Sequence, residues 1–227
     1  MLLREEIEQS NDRVWESMRA FVAAHSDHLP VRKVAAVGNA PLAPSEDRAA
    51  EIDSCDLVFR VNSLVLDELG EPACMGTKTD VVLLSRSTNV TPWVFQDYRQ
   101  RAYLLLQAGF TASHQVRDTT ECWPADLGAW PLPNGAVVKR LGDILAPDRA
   151  PGSLIPTGGT ISMLLAHEFF PEAEMVATGY SFLRDRQQSE WAHHFGGKTS
   201  VNKGHRLELE GALLESWILD GSIRFLE

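Results

Sequence analysis

Three groups of residues in this chain have types and spacings that could do chemistry. The first is Pro156-Thr157-Gly158-Gly159-Thr160, which runs into the apolar stretch Ile161-Ser162-Met163-Leu164-Leu165-Ala166. A Gly pair at the start of an apolar helix leaves backbone N–H groups unshielded, and the helix dipole favours an anion there. Pro156 stops the preceding segment, and Thr157 fits the N-cap position. The same residues also suit a tight turn before a buried helix. The second group is Asn39, Asn62 and Ser85, each ending a short apolar run. An amide both donates and accepts, so two Asn at neighbouring strand ends suit a phosphate–ribose ligand; each alone also suits an ordinary turn. The third is Glu210. With residues 207–218 on a helix, Leu207, Leu213, Leu214, Trp217 and Ile218 share one arc, while Glu208 and Glu215 lie opposite. Glu210 falls inside the apolar arc, where a carboxylate is costly unless it is hydrogen-bonded or neutral. It is either a helix-end group reaching solvent or a buried acceptor that fixes the segment around His205.

Other chemistries lack their residues. The loop Gly38-Asn39-Ala40-Pro41 is not a GxGxxG element, so a dinucleotide site is weakly supported, and there is no Walker motif. No Asp-x-Asp pair is present to hold a divalent ion against a diphosphate. The three cysteines, Cys55, Cys74 and Cys122, are scattered without metal-ligand spacing. They are expected to be free thiols in a reducing, cytoplasmic setting. Acidic residues number 31 against 21 Lys and Arg, a net charge of −10. A nucleic-acid partner is not expected, because phosphate binding needs a basic footprint. A small anionic ligand remains compatible, since a few local donors can outweigh the global field.

The elements that must position these groups follow from hydrophobic periodicity. At 227 residues and 44% hydrophobic content, the chain can bury a full core. Leu3, Ile7, Val14, Met18 and Phe21 recur at helical spacing, so residues 1–28 are expected to form an amphipathic helix packed on the domain. Its polar face is not predominantly basic, which argues against a membrane-surface role. No apolar run suits a signal peptide or a transmembrane segment. Strands are expected at 34–37, 57–61, 80–84, 103–106, 175–178 and 223–226, with a short helix at 44–53. Residues 111–152 hold five of the twelve prolines and read as loop, with one strand at Val137-Val138. Short apolar runs alternating with helices predict an α/β fold, a mostly parallel sheet flanked by helices in a single Rossmann-like domain. Ligands of such sheets bind beyond the carboxyl ends of the strands, near the topological switch point.

Several segments resemble a known family. Val37-Gly38-Asn39, then residues 51–62 (Glu-Ile-Asp-Ser-Cys-Asp-Leu-Val-Phe-Arg-Val-Asn), then Met75-Gly76-Thr77-Lys78-Thr79-Asp80 resemble the large sialylmotif. That motif belongs to the sialyltransferases of glycosyltransferase family 29. Pro156-Thr157-Gly158, continuing to Gly179-Tyr180-Ser181, resembles the small motif. His193-His194-Phe195 is similar to the third motif. His205-Arg206-Leu207-Glu208-Leu209-Glu210 reproduces the very small motif, a His and a Glu separated by four residues. The motifs occur in the family's order. Two departures stand out. Val34 replaces the first cysteine of the family's motif-linking disulfide, and Gly196 stands where the third motif's acid is expected. The missing cysteine fits a soluble, bacterial-type relative without a Golgi anchor, and Gly196 leaves the third motif's acidic partner unassigned.

The resemblance implies a GT-A-like variant of the fold across residues 1–227. It implies inverting, metal-independent transfer of a sugar acid from a CMP-sugar donor to an acceptor hydroxyl, on a glycan or glycolipid. Gly38, Asn39, Asn62, Ser85, Thr157, Gly158, Gly159 and Gly179 would line the nucleotide and donor site. His205 would deprotonate the acceptor, and His193 would serve the departing phosphate. His194 is an ordinary neighbour or takes the phosphate role in place of His193. His25, His28, His114 and His167 carry no such pattern. A CMP-Kdo-type transferase, or a nucleotide-binding protein without transfer activity, would present the same residues.

Overall fold

The computed structural model describes residues 2–85, 90–106, 123–132, 135–146 and 154–227. Seven strands form one parallel sheet: β1 (Lys33–Val37), β2 (Leu57–Val61), β3 (Val81–Ser85), β4 (Ala102–Leu106), β5 (Trp130–Pro131), β6 (Glu174–Thr178) and β9 (Arg224–Phe225). Their spatial order is β5-β4-β3-β2-β1-β6-β9. The order runs outward from β1 to β5, then reverses to place β6 on the other side of β1. The switch point is therefore between β1 and β6, which pair from Lys33↔Glu174 to Val37↔Thr178. A second, antiparallel pair joins β7 (Glu190–Ala192) to β8 (Lys198–Ser200).

Strands buried on both faces explain the near-continuous apolar runs. On one face, Val34, Ala36, Leu57, Phe59, Val81 and Leu83 pack under helices α1 (Leu2–Ala23), α3 (Arg140–Leu145), α4 (Gly158–Phe169) and α5 (Leu207–Leu219). On the other, Ala35, Val37, Val58 and Val176 meet Ile52 of α2 (Glu46–Asp53) and the buried thiols Cys55 and Cys74. Val82, Leu84 and Tyr103 are covered by Leu64, Leu66 and Val94 from connecting segments. In α1, Met18 and Val22 are buried, and Trp15 meets Phe169 edge-on with centroids 4.9 Å apart. The expected contacts of Leu3 and Ile7 lie outside the described side chains. Cys55 and Cys74 are free, and burial pushes the Cys55 thiol up to about 12. Cys122 and His114 lie outside the described residues.

The expected strand at Val137-Val138 is not formed. Residues Gly135–Lys139 make a π-helical turn that runs into α3, with Val137 fully buried. A β-branched pair suits either geometry, and the apolar Leu141 and Leu145 one turn later favour winding over pairing. The loop expected across 111–152 accordingly contains α3 and the short edge strand β5. The β7–β8 hairpin was not anticipated, because its strands are three residues long and mostly exposed.

Residues 53–80 are held by carboxylates that accept from backbone amides. Asp67 accepts from the N–H groups of Cys74, Met75 and Gly76. Asp53 accepts from Thr77 and Lys78, and Asp80 from Val58 at 2.7 Å. Burial pushes Asp80 up to about 6. Arg60 is 1% exposed in the middle of the sheet and donates to the carbonyls of Met75 and Lys78. The same burial lowers it to about 10. These groups satisfy the polar backbone of a segment crossing the sheet face, which would otherwise cost a desolvation penalty.

At the switch point two backbones touch. A Cβ on Gly38 would lie 2.2 Å from the Gly179 carbonyl oxygen, and one on Gly179 would lie 2.6 Å from that of Gly38. Gly38→Ala is expected to destabilise the fold by about 1–3 kcal/mol, the usual range for overpacking. Gly128→Ala, where nothing lies within 4 Å, should change stability by less than about 0.5 kcal/mol. Urea denaturation of both variants checks the contrast.

Candidate functional site

The carboxyl ends of β1, β2 and β3 are laced together by the three polar residues that end them. Asn39 Nδ2 donates to the Val61 carbonyl at 2.9 Å. Asn62 Oδ1 accepts from the Ser85 N–H at 2.7 Å. Asn62 adopts φ of 39°, a left-handed conformation that Asn tolerates better than most residues. Asn39 and Asn62 thus hold neighbouring strand ends together.

Helix α4 starts beside the same strand ends. Thr157 is its N-cap, and its hydroxyl accepts from the Thr160 N–H at 3.1 Å. Gly158 and Gly159 occupy the first turn, where amides point along the helix axis rather than into the helix. A Cβ on Gly158 would lie 3.8 Å from Asn62 Nδ2, and one on Gly159 would lie 3.0 Å from the Tyr180 ring. Tyr180 follows Gly179, so the α4 start, β2 end and β6 end converge. The Tyr180 hydroxyl is buried and has no partner among the described residues. Burial raises its pKa, so it stays a neutral donor. In the sequence, its place two residues past the end of β6, within the Gly179-Tyr180-Ser181 stretch, is the signal that points here.

Glu210 is the buried acceptor rather than the solvent-reaching alternative. It is fully buried in the first turn of α5. Its Oε2 accepts from the Thr157 N–H at 2.9 Å, the Thr157 hydroxyl at 2.7 Å and the Thr160 hydroxyl at 2.6 Å. The carboxylate also meets the positive end of the α4 dipole. The helix start it secures is that of α4. The segment bearing His205 is then fastened to the same strip of chain. Ile155 N–H donates to the Gly204 carbonyl at 3.0 Å. His205 Nδ1 donates to the Ile155 carbonyl at 2.5 Å. A carbonyl only accepts, so this bond places the proton on Nδ1 and leaves Nε2 as an acceptor. Trp191 of β7 meets the His205 ring edge-on at 6.4 Å.

The two adjacent histidines point to different partners. His193 Nε2 lies 2.8 Å from the Thr199 hydroxyl, and its ring stacks on Phe195 at 4.9 Å. His194 instead crosses to the loop after β1. Its N–H donates to the Asn39 carbonyl at 2.8 Å, and its Nδ1 accepts from the Leu42 N–H at 3.4 Å. Burial lowers the pKa of both rings; for His194, Asp67 opposes that shift and Arg48 adds to it. The Leu42 contact assigns the His194 proton to Nε2, a neutral donor. His193, the residue expected at the phosphate, bonds within the hairpin, while His194 bonds to the loop after β1. No sequence signal separates neighbours in a hairpin turn, since which one faces inward depends on how the hairpin docks.

Among the described residues no group of three or more His, Cys, Asp or Glu could hold a metal ion, and no helix is long and apolar enough to cross a membrane.

No model of a known protein family matches the sequence, and no curated protein sequence does. Solved structures do match. The chain is similar to the crystal structure of a mammalian sialyltransferase at 19% identity, over 86% of this chain and 69% of that one, with a TM-score of 0.53. It is also similar to a mammalian sialyltransferase crystallised with Gal-beta-1-3GalNAc-ortho-nitrophenol, at 18% identity, the same coverage and a TM-score of 0.54. What is shared at this distance is the fold: the parallel α/β sheet with its flanking helices.

Glu210→Ala would strand one buried N–H and two buried hydroxyls. It is expected to cost about 3–5 kcal/mol, the range for removing one partner of a buried charged group. Glu210→Gln keeps one carbonyl oxygen and should be milder. Chemical denaturation orders the two; equal stability of Glu210→Ala and the parent would show that the carboxylate does not hold α4.

Proposed function

We propose that the protein is an inverting, metal-independent glycosyltransferase that moves a sugar acid from a CMP-sugar to an acceptor hydroxyl. The observation that carries this is the orientation of His205. With Nδ1 committed to Ile155, Nε2 is an acceptor beside the start of α4, which is what a general base for a hydroxyl requires. The sialyltransferase-like fold supports the same assignment.

The amides of Gly158 and Gly159, with Asn39 and Asn62, receive the phosphate and ribose. Gly38 and Gly179 keep the crevice floor low enough for the nucleotide, and Ser85 holds Asn62 in place. His194, rather than His193, donates from Nε2 to the phosphate. The acceptor oxygen attacks the anomeric carbon as its proton passes to His205 Nε2. The bond from that carbon to the phosphate oxygen breaks, and CMP leaves with the electron pair. A departing CMP phosphate builds up less charge than a departing diphosphate, so backbone amides and a neutral imidazole serve without a cation. Sialic acid and Kdo are both anionic 2-keto sugar acids, and either fits this scheme.

Saturating CMP, at about 100 times its dissociation constant, should stabilise the protein by roughly 2.7 kcal/mol. UMP and AMP should give less; equal shifts would remove the basis for a CMP-sugar donor. His205→Ala should lower turnover by roughly 10²–10⁴-fold while CMP binding persists. His194→Ala should weaken both, and His193→Ala should be the milder of the pair. CMP binding with an intact donor after prolonged incubation would identify a binding protein instead. Turnover is expected to survive EDTA; activity lost to chelation and restored by magnesium or manganese would overturn the metal-free scheme.

A further inference from the structure

Exposed cations in this chain are mostly matched by carboxylates, as expected with acids in excess. Arg140 pairs with Glu168, Arg186 with Glu215, Lys198 with Glu190 and Arg224 with Glu174, at 2.6 to 3.4 Å. Two exposed cations flank His205 and break the pattern. Lys203 and Arg206 make no ion pair among the described residues, and Glu208, two positions along α5, does not reach Arg206. Among the described residues the other exposed cations without such a pair are Arg13 on α1 and Arg32, just before the start of β1.

The location of Arg206 is also unfavourable for the fold. It is the N-cap residue of α5, with φ of −128° and no side-chain hydrogen bond to the helix. Ser, Thr, Asp or Asn would satisfy an orphan amide there. A cation at that end opposes the helix dipole. Lys203 sits in the turn closed by the His205 N–H on the Asn202 carbonyl at 2.9 Å, with Gly204 N–H on Asn202 Oδ1 at 2.8 Å. That turn sets Lys203 two residues before the base and Arg206 one residue after it. A break in local preference at a reactive group points to a ligand rather than to stability.

Building on the transferase assignment, we infer that the acceptor carries an anionic group, a carboxylate or a phosphate, close to the hydroxyl that is glycosylated. Lys203 and Arg206 are exposed and lie two positions before and one position after His205, whose Nε2 takes the acceptor proton in that assignment. An anionic substituent satisfies both cations at once and brings the neighbouring hydroxyl to the base. The net charge of −10 makes such a local pair necessary, since the protein's overall field repels an anionic acceptor. Arg suits either anion through its planar fork, and Lys adds a second point charge.

The test titrates the CMP-loaded protein with methyl β-galactoside, its 6-phosphate and methyl β-galacturonide, reading binding directly. The parent should bind at least one anionic sugar roughly tenfold or more tightly than the neutral one, with the preference reduced in 0.5 M salt. Lys203→Ala and Arg206→Ala should each cut the preference roughly three- to five-fold, as expected for exposed charge pairs. Arg206→Lys should restore most of it. The 6-phosphate and the galacturonide distinguish phosphate from carboxylate. Equal affinity for neutral and anionic sugars, or a preference indifferent to both variants, overturns this inference and leaves the transferase assignment standing. A parent protein that shows no CMP-dependent stabilisation overturns the transferase assignment itself.

Discussion

The site depends on one buried carboxylate. Glu210 Oε2 accepts three hydrogen bonds from the N-cap region of α4, a helix whose own side chains are buried almost all round. With its other oxygen, Oε1, buried and without a hydrogen-bond partner among the described residues, the carboxylate depends on the donors on Oε2 to offset its burial. The donors it engages are those that start the helix. Helix α4 is therefore anchored to α5 at the point where its first amides face the crevice. The same joint fastens Ile155 to Gly204 and His205. The first turn of α4 and the His205 ring are thus parts of one hydrogen-bonded connection.

The segment between β2 and β3 works in a complementary way. Asp53, Asp67, Asp80 and Arg60 are charged residues of this segment, with Asp80 and Arg60 buried. Their partners are backbone amides and carbonyls of residues 58 and 74–78. They let a polar stretch of chain cross a sheet face without orphaned groups. The benefit is delivered at the strand ends, where Asn39, Asn62 and Ser85 are held in a row above the sheet. The touching backbones of Gly38 and Gly179 complete this floor at the switch point, where parallel sheets commonly bind ligands.

The β7–β8 hairpin closes the other side. Its strands are exposed, and it meets the body through Trp191 and through the His194 bonds to Asn39 and Leu42. A short turn with Gly196 and Gly197 at positive φ lets the two histidines diverge. One stays on the hairpin with Thr199 and Phe195, and the other reaches the β1 loop. The start of α4, the loop after β1 with His194 and the turn bearing His205 are thus each tied to a neighbouring segment by hydrogen bonds.

Much of this was determined by the sequence alone. Apolar runs of four or five residues mark β1, β2, β3, β4 and β6 to within a residue, because a strand buried on both faces admits almost no polar side chain. Helical projection places Glu210 in an apolar arc, and Thr157 with its Gly pair marks the start of α4, because caps and periodicity are local properties. Only the tertiary structure decided the rest. The order β5-β4-β3-β2-β1-β6-β9, the donors that meet Glu210 and the carbonyl that orients His205 all join segments 20 to 150 residues apart. Val137-Val138 could wind or pair, and either His193 or His194 could face the crevice. Such choices are settled by which surfaces bury one another. No short window of sequence contains both partners.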